Sequence, residues 1–482
     1  MTSLLDSVST GRPPEFGLFV GGAPRSGHGP ELSLTSRLDS SVIGQVASAD
    51  PSDVEQAYER LAAAQPAWRD LAPGARAQIF LNAARLFRER AGELGSVISA
   101  EMGKPLGEAK TEVEKGSAIL EYFAQAPYHT SGGTFVTDTG EDVSILVEPL
   151  GVVALITPWN FPFTLPLRKI AAALATGNTA LYKPASNGAL CGLAIGQTLV
   201  DAGLPPDVLN VIVGKSSVIE HALFQDPRLG GVSLTGSYAT AAAIRKVLPV
   251  EVPFQAELGG KNALVVWADA DLHFATDIIW QSSFRNNGQI CTSAGRLLVH
   301  ADIADALLDR LRSRAGAQPS STADGEFGIL SSPGEQEKIL ETISRAAGDA
   351  VEIIAPDWGE GRVGPTVLVA PTEEDLLCEE IFGPVLTFET VTDIDEAVEL
   401  ANRTDYGLTA GIVTNDLDAA KTFWRGSHAG TVKVNASLTG TPFHVPLQGW
   451  GHSGVGAGEG GNASIDFFTR RKAVYLRRAP VR

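Results

Sequence analysis

The sequence predicts an α/β protein built on a parallel sheet with helices on both faces. Three observations carry that expectation. From Gly151 to Val247, short continuous apolar runs alternate with helical patterns, as they do when strands are buried on both faces. The chain has 482 residues, too many for one hydrophobic core, so two or three domains are expected. With 44% hydrophobic and 20% charged residues, its composition is globular rather than disordered or fibrous.

Charge and cysteine count narrow the class further. A formal charge of −18 argues against nucleic acid or an anionic membrane as partner. It leaves room for a basic pocket that takes a small anion. The three cysteines, Cys191, Cys291 and Cys378, do not make a disulfide framework and point to a reducing, cytoplasmic setting. Met1 to Pro14 lacks the basic start and apolar run of a signal peptide. No stretch reaches the roughly 18 uninterrupted apolar residues of a membrane span, and no internal repeat or low-complexity tract is found.

Residues 1 to 50 are rich in Gly, Pro and Ser and read as extended, loop-rich covering structure. Helical periodicity follows over Asp53 to Gln65, stopped by Pro66, then over Ala75 to Leu94 and Leu106 to Gln125. All three read as packing helices. Thr134 to Val147 reads as two strands about the polar turn Asp138-Thr139-Gly140-Glu141, either an edge flap or an oligomerisation arm.

The regular part begins at Gly151. Strands are expected at Val152–Ile156, Thr179–Tyr182, Leu209–Val213 and Gly231–Leu234. The helices between and after them are Leu165–Ala175, Leu190–Ala202, Ser217–Phe224 and Tyr238–Val247. Ligands of such sheets bind at the carboxyl ends of the strands. There the sequence offers Thr157-Pro158-Trp159-Asn160-Phe161-Pro162, with an amide donor at Asn160. It also offers Lys183-Pro184-Ala185-Ser186, a cation followed by a hydroxyl, and Thr235-Gly236-Ser237 at a helix start, suited to phosphate. There is no GxGxxG fingerprint. Together the strand ends suggest a nucleotide crevice.

Next comes Ala256-Glu257-Leu258-Gly259-Gly260-Lys261-Asn262, a carboxylate before two glycines that permit close backbone approach. Glu257 precedes Cys291 by 34 residues. Cys291 sits in Phe284-Arg285-Asn286-Asn287-Gly288-Gln289-Ile290-Cys291-Thr292-Ser293, among small and amide residues instead of the apolar neighbours of an inert buried thiol. A general base followed by a nucleophile is one reading; an exposed acid and a structural cysteine in a polar turn is the other.

Taken in order, Thr157–Pro162, Lys183-Pro184, Thr235-Gly236-Ser237, Glu257–Lys261, Gly288–Cys291 and Glu379-Glu380-Ile381-Phe382-Gly383-Pro384-Val385 resemble the NAD(P)-dependent aldehyde dehydrogenase superfamily. Tyr406-Gly407-Leu408, Gly430-Thr431-Val432, Ser453-Gly454 and Glu459-Gly460 extend the resemblance over nearly the whole chain. It implies a Rossmann-type cofactor domain at 1–129 and 150–256, a catalytic domain at 257–450, and a small β oligomerisation arm at 130–149 and 460–482. The arm implies a homodimer or homotetramer.

The resemblance also implies roles. Cys291 is the nucleophile and Glu257 the water activator. Asn160 and the Cys291 N–H hold the oxyanion, and Lys169 helps move the proton. Thr157, Pro158, Trp159, Lys183, Ser186, Gly236, Ser237, Leu258, Glu380 and Phe382 contact the cofactor, and no metal is expected. NAD-preferring relatives carry Glu three residues after the lysine. Ser186 stands there instead, so NADP is favoured, with NAD as the alternative. Arg168 and Arg285 match positions where succinic semialdehyde dehydrogenases hold the substrate carboxylate. His444-Val445-Pro446 and Phe467-Phe468-Thr469 resemble the α-ketoglutaric semialdehyde group.

Two departures from the family pattern stand out. Pro446-Leu447-Gln448-Gly449 replaces the usual Pro-Phe-Gly-Gly beside the substrate tunnel, and Ser293 replaces the second cysteine of some semialdehyde dehydrogenases. A general aldehyde dehydrogenase, a CoA-acylating enzyme and a non-catalytic paralogue are the competing readings. Glu257 speaks against the second, and intact Cys291, Glu257 and Asn160 against the third.

Overall fold

A computed structural model describes residues 15–128, 132–316, 329–350, 352–354 and 362–477. The N-terminal segment read for a signal peptide lies outside them. Two large sheets dominate. The first runs in the order Gly454–Val455, Phe254–Glu257, Leu229–Thr235, Val152–Ile156, Thr179–Lys183, Leu209–Val211, Leu18–Val20, Ala23–Arg25. Its five central strands are parallel, and antiparallel pairs close both edges. Val152–Ile156 is a continuous apolar run, as expected where helices cover both faces, and the polar residues of the other central strands, such as Asn210, Ser233 and Gln255, are buried and hydrogen-bonded.

Chain order reverses between Val152–Ile156 and Leu229–Thr235. Strands 179–183 and 209–211 build away on one side, and 229–235 and 254–257 on the other. That reversal opens the crevice at the carboxyl ends of the strands. Register sets Ile156 against Lys183 and Leu234, and Thr235 against Glu257, so the strand-end residues lie side by side. A core of buried residues from Leu18 to Leu258, joined by Phe468, packs this sheet against its helices.

The second sheet runs Glu352–Ile354, Thr366–Val369, Val385–Val391, Ala294–His300, Asn262–Val266, Thr409–Val413, Thr431–Val434, parallel except at its first strand. It is packed by separate buried clusters drawn from Ala263 onward. A third, antiparallel sheet joins Gly133–Val136 and Asp142–Pro149 to Thr469–Leu476, with Leu476 opposite Asp142 and Thr469 opposite Pro149. Gly140, at φ +78°, makes its turn. Phe135, Val136, Leu146, Tyr475 and Leu476 are exposed on it. Among the described residues, no helix is long and apolar enough to cross a membrane.

Four local expectations need correction. Pro66 does not stop its helix, which runs Pro51–Asp70. Asp50 and Asp53 start it with a reciprocal capping box. Its last turn is held from outside. The Trp68 indole N–H donates to Leu174 O at 3.0 Å and Gln65 Nε2 to Gly177 O at 3.2 Å, which offsets the hydrogen bond the proline removes.

The helix expected over Ala75 to Leu94 is two helices, Pro73–Glu89 and Ala91–Met102. They break at Arg90, whose guanidinium pairs with Asp201 at 2.7 Å. The arm segment 460–482, expected as β, begins as a helix, Gly461–Phe467, because that turn lets Phe468 enter the first core, and the strand follows at Thr469–Leu476. In residues 15–50, strand Leu18–Val20 is buried and pairs with the main sheet, so this stretch is part of the architecture as well as a covering.

Candidate active site

Glu257 is the last residue of a strand in the first sheet, and Asn262 the first residue of a strand in the second. Leu258, Gly259, Gly260 and Lys261 carry the chain across. Leu258 is buried and its N–H donates to Ser453 O at 2.9 Å. The glycines make room for two side chains of the site. A Cβ on Gly259 would lie 2.2 Å from Glu380 Oε2, and one on Gly260 would lie 2.6 Å from Asn262 Oδ1. The Glu380 carboxylate therefore rests on this turn, accepting the Gly260 N–H at 3.0 Å.

The turn before Cys291 is built from left-handed backbone. Asn286, Asn287 and Gly288 have φ of 49°, 54° and 69°, a region asparagine and glycine enter at low cost. That explains the amide-rich sequence there. Gln289 Oε1 accepts from Ser331 N at 3.1 Å, and Asn262 Nδ2 donates to Cys291 O at 2.8 Å and Ser293 O at 2.7 Å. The thiol is thus presented by a rigid, cross-braced turn. Cys291 keeps partial exposure. Burial, then the Glu380 and Glu257 carboxylates, push its thiol up to about 12, while Arg168 and the Thr292 N–H act the other way. These charges mark Glu257, Glu380 and Arg168 as its neighbours.

Glu257 is buried, and neither carboxylate oxygen has a partner at hydrogen-bonding geometry among the described residues. Burial and the Glu459 carboxylate push it well above the usual range. Lys169, the Gly449 N–H and Arg168 oppose them. An acid without partners, raised in this way, is suited to accept a proton from water. Lys169 lies on the helix Thr164–Ala175, where every residue from Pro166 onward is buried. Its ammonium donates to Ser233 Oγ at 2.9 Å and pairs with Glu459.

Asn160 donates from Nδ2 to Gln289 O at 2.9 Å. An amide carries two such hydrogens, so one remains for a ligand. Arg168 is nine-tenths buried. Its Nη2 donates to Thr441 O at 2.6 Å and its Nε is without a partner. Arg285 is exposed, pairs with no acid among the described residues, and sits close enough to Lys115 to act on its ammonium.

The crevice suits a dinucleotide. Thr157 Oγ1 lies 3.0 Å from Tyr182 OH. Burial lowers Lys183 to about 8, and its amine has one long contact, to Pro184 O at 3.5 Å. Thr235 Oγ1 is buried without a partner. Ser237 caps the helix Tyr238–Val247, accepting the Thr240 N–H at 3.2 Å, and Gly236 precedes it without a side chain. Pro158 and Trp159 are half-buried, and the Trp159 and Phe382 rings meet edge to face at 5.6 Å. Ser186, half-buried, opens a short turn after Lys183. Burial raises Glu380 to about 7, leaving it able to accept from ribose hydroxyls when ionised. The under-partnered Lys183 and Thr235 and the side-chain-free glycines fit a phosphate- and ribose-bearing ligand.

Sequence reading passed over several supporting groups. Asn262 braces the thiol turn, and Lys261 is a buried amine without a partner that burial lowers to about 7. Lys104 and Glu112 form a buried ion pair beneath Asn160. The available signal was Glu112 itself, an acid at core spacing with Ala109 and Val113.

Comparison with known proteins places the chain in a family. The chain is 34% identical to a 2,5-dioxopentanoate dehydrogenase of Saccharolobus solfataricus over 446 residues, 90% of this chain and 93% of that protein. It is 36% identical to a betaine aldehyde dehydrogenase of Cereibacter sphaeroides over 486 residues, 97% and 98% of the two chains. Its fold superposes with a TM-score of 0.93 on an NADP-dependent glyceraldehyde-3-phosphate dehydrogenase of Bacillus halodurans in complex with NADP, at 29% identity, covering 97% and 100%. Residues 25–474 match the model of the aldehyde dehydrogenase family, and the chain belongs to that family.

Proposed function

We propose that this chain oxidises a semialdehyde bearing a carboxylate at its far end, succinic or α-ketoglutaric semialdehyde, through a thioester on Cys291, with NADP favoured over NAD. The observation that carries the substrate reading is Arg168. A permanently charged guanidinium, nine-tenths buried with a free N–H and acting on both Cys291 and Glu257, calls for an anion beside the reacting thiol. Arg285, unpaired and exposed, supplies a second cation on the approach, with Lys115 beside it. The 2,5-dioxopentanoate named for one relative is such an anion, being α-ketoglutaric semialdehyde. A betaine aldehyde, named for another, carries a quaternary ammonium that these cations would repel.

In this reading Cys291 forms a bond from sulfur to the aldehyde carbon, and the thiol proton leaves through the partly open approach. The oxyanion is held by the free Asn160 amide hydrogen and the Cys291 N–H; losing one such donor costs about 3–4 kcal/mol of transition-state stabilisation. The nicotinamide cofactor, bound by Thr157, Pro158, Trp159, Lys183, Ser186, Gly236, Ser237, Leu258, Glu380 and Phe382, supplies the hydride acceptor. Glu257 then takes a proton from water as its oxygen attacks the thioester carbon. The carbon–sulfur bond breaks, the acid leaves, and Lys169 with Glu459 carries the proton onward. A water-activating Glu257 also separates this chemistry from transfer to CoA.

Residues 1–129 and 150–256 are assigned to the cofactor and 257–450 to catalysis. Residues 130–149 and 460–482 are assigned to an arm. The exposed Phe135, Val136, Leu146, Tyr475 and Leu476 support pairing of that arm with another copy. Sedimentation at micromolar concentration is expected to give a dimer or tetramer; a monomer contradicts the assignment.

The cofactor reading turns on Ser186, whose hydroxyl can donate to a 2′-phosphate where a carboxylate would repel it. Ser186→Glu is expected to move the NADP/NAD ratio of kcat/KM towards NAD, and an unchanged ratio removes Ser186 from the argument. For the substrate, Arg168→Ala and Arg285→Ala are each expected to lose about 10- to 150-fold in kcat/KM on succinic or α-ketoglutaric semialdehyde, the value of a charge-assisted contact. On a neutral aldehyde of similar length the loss should be much smaller. Equal losses on both substrates would mean general damage. Wild-type preference for the neutral aldehyde would replace this reading with a general aldehyde dehydrogenase.

A further inference from the structure

We infer that the buried Lys104–Glu112 ion pair holds the Asn160 amide in register with Cys291, making Lys104 a positioning residue for the oxyanion donor. The inference rests on the reading of Asn160 as that donor.

Backbone geometry turns Lys104 inward. Helix Ala91–Met102 ends at Gly103, whose φ of 71° is left-handed. A Cβ there would lie 2.8 Å from Ile329 O, so glycine is required twice over. The Lys104 carbonyl then accepts the Ser99 hydroxyl, and Pro105 leads into helix Leu106–Phe123. The side chain ends up 2% exposed at the vertex of two helices.

All three ammonium hydrogens find an acceptor. Nζ lies 2.5 Å from Glu112 Oε2, 3.0 Å from Asn160 O, and 4.2 Å from the centre of the Phe161 ring. The other Glu112 oxygen accepts the N–H groups of Phe163 at 2.9 Å and Thr164 at 3.2 Å. Those amides lie at the start of helix Thr164–Ala175 and have no partner within it. The pair therefore grips the loop at 160, 161, 163 and 164, from the Asn160 carbonyl to the start of the helix.

That loop needs an outside support. Residues 157–163 form neither helix nor strand, and the Asn160 carbonyl is held by side chains alone, Lys104 Nζ and, at 3.4 Å, Asn286 Nδ2. Stability alone is a poor reason for the pair, since a buried ion pair can often be replaced by apolar groups without loss. Precision at a reacting centre is a better one, because a displacement of about 1 Å can cost roughly 100-fold in rate.

The test is the variant Lys104→Met/Glu112→Gln. The introduced glutamine would still accept the Phe163 and Thr164 amides, and the introduced methionine would still cover the Phe161 ring. The change therefore falls on the grip at Asn160 O. Cofactor affinity by fluorescence titration and thermal unfolding should stay close to wild type. The kcat for the semialdehyde should fall about 10- to 100-fold with KM nearly unchanged.

Combining the pair with Asn160→Ala separates positioning from general damage. In that background the Lys104/Glu112 change should cost nothing further, because the group it positions is gone. A full second loss in the triple variant, or wild-type kcat in the Lys104/Glu112 variant, overturns the inference. Wild-type kcat in Asn160→Ala alone overturns the parent reading of Asn160 instead. Should the paired variant not fold, Phe161→Leu, which removes the ring under the ammonium, carries the same comparison. A smaller loss of kcat that vanishes in the Asn160→Ala background supports the inference, and an additive loss overturns it.

Discussion

Everything at the site depends on one crossing of the chain. Glu257 ends a strand of the first sheet and Asn262 begins a strand of the second, leaving four residues to pass from one to the other. So short a passage sets the carboxyl ends of the first sheet's strands against the amino ends of the second's. It sets the strand-end groups of one, Thr157, Lys183, Thr235 and Glu257, against the Cys291 turn and Glu380 of the other. Gly259 and Gly260 leave room for the Glu380 carboxylate and the Asn262 amide, which a side chain at either position would displace.

The second constraint is electrostatic. Burial raises Glu257, Glu380 and Cys291 alike, and the two carboxylates add to the cost of charging the thiol. Arg168 opposes this at the thiol and, with Lys169, at Glu257; both sit on one helix buried from Pro166 onward. An anionic substrate group docking on Arg168 satisfies the cation that otherwise has too few partners. Catalytic groups held uncharged at rest and charged in turn are what the proposed two-stage reaction needs.

Much of this was legible in the sequence, for identifiable reasons. Strands Val152–Ile156 and Thr179–Lys183 read correctly because both faces are covered, which forces continuous apolar runs. The residues just past them could be singled out because a doubly covered sheet has only its strand ends free for ligands. What misled was tertiary rescue of local rules. Pro66 signals a stop, yet Trp68 and Gln65 anchor the turn beyond it. Phe467 and Phe468 have strand-like content, yet the core draws Phe468 in on a helical turn. The supports were the least legible. Lys104 and Asn262 act through backbone carbonyls, which leave no mark in sequence, and the partners of Lys169, Ser233 and Glu459, lie far along the chain.

The central claim is that Cys291 carries the substrate as a thioester that Glu257 then clears with water. Rapid mixing of Glu257→Gln with semialdehyde and NADP tests it most directly. Glu257→Gln keeps the size of the side chain but cannot take a proton from water, so the first stage should run and the second should stop. The account predicts a burst of about one equivalent of reduced cofactor per active site, followed by a stall, with the acyl group found on Cys291 by mass spectrometry. Steady turnover at the wild-type rate, or a stalled enzyme with Cys291 unmodified, would contradict it.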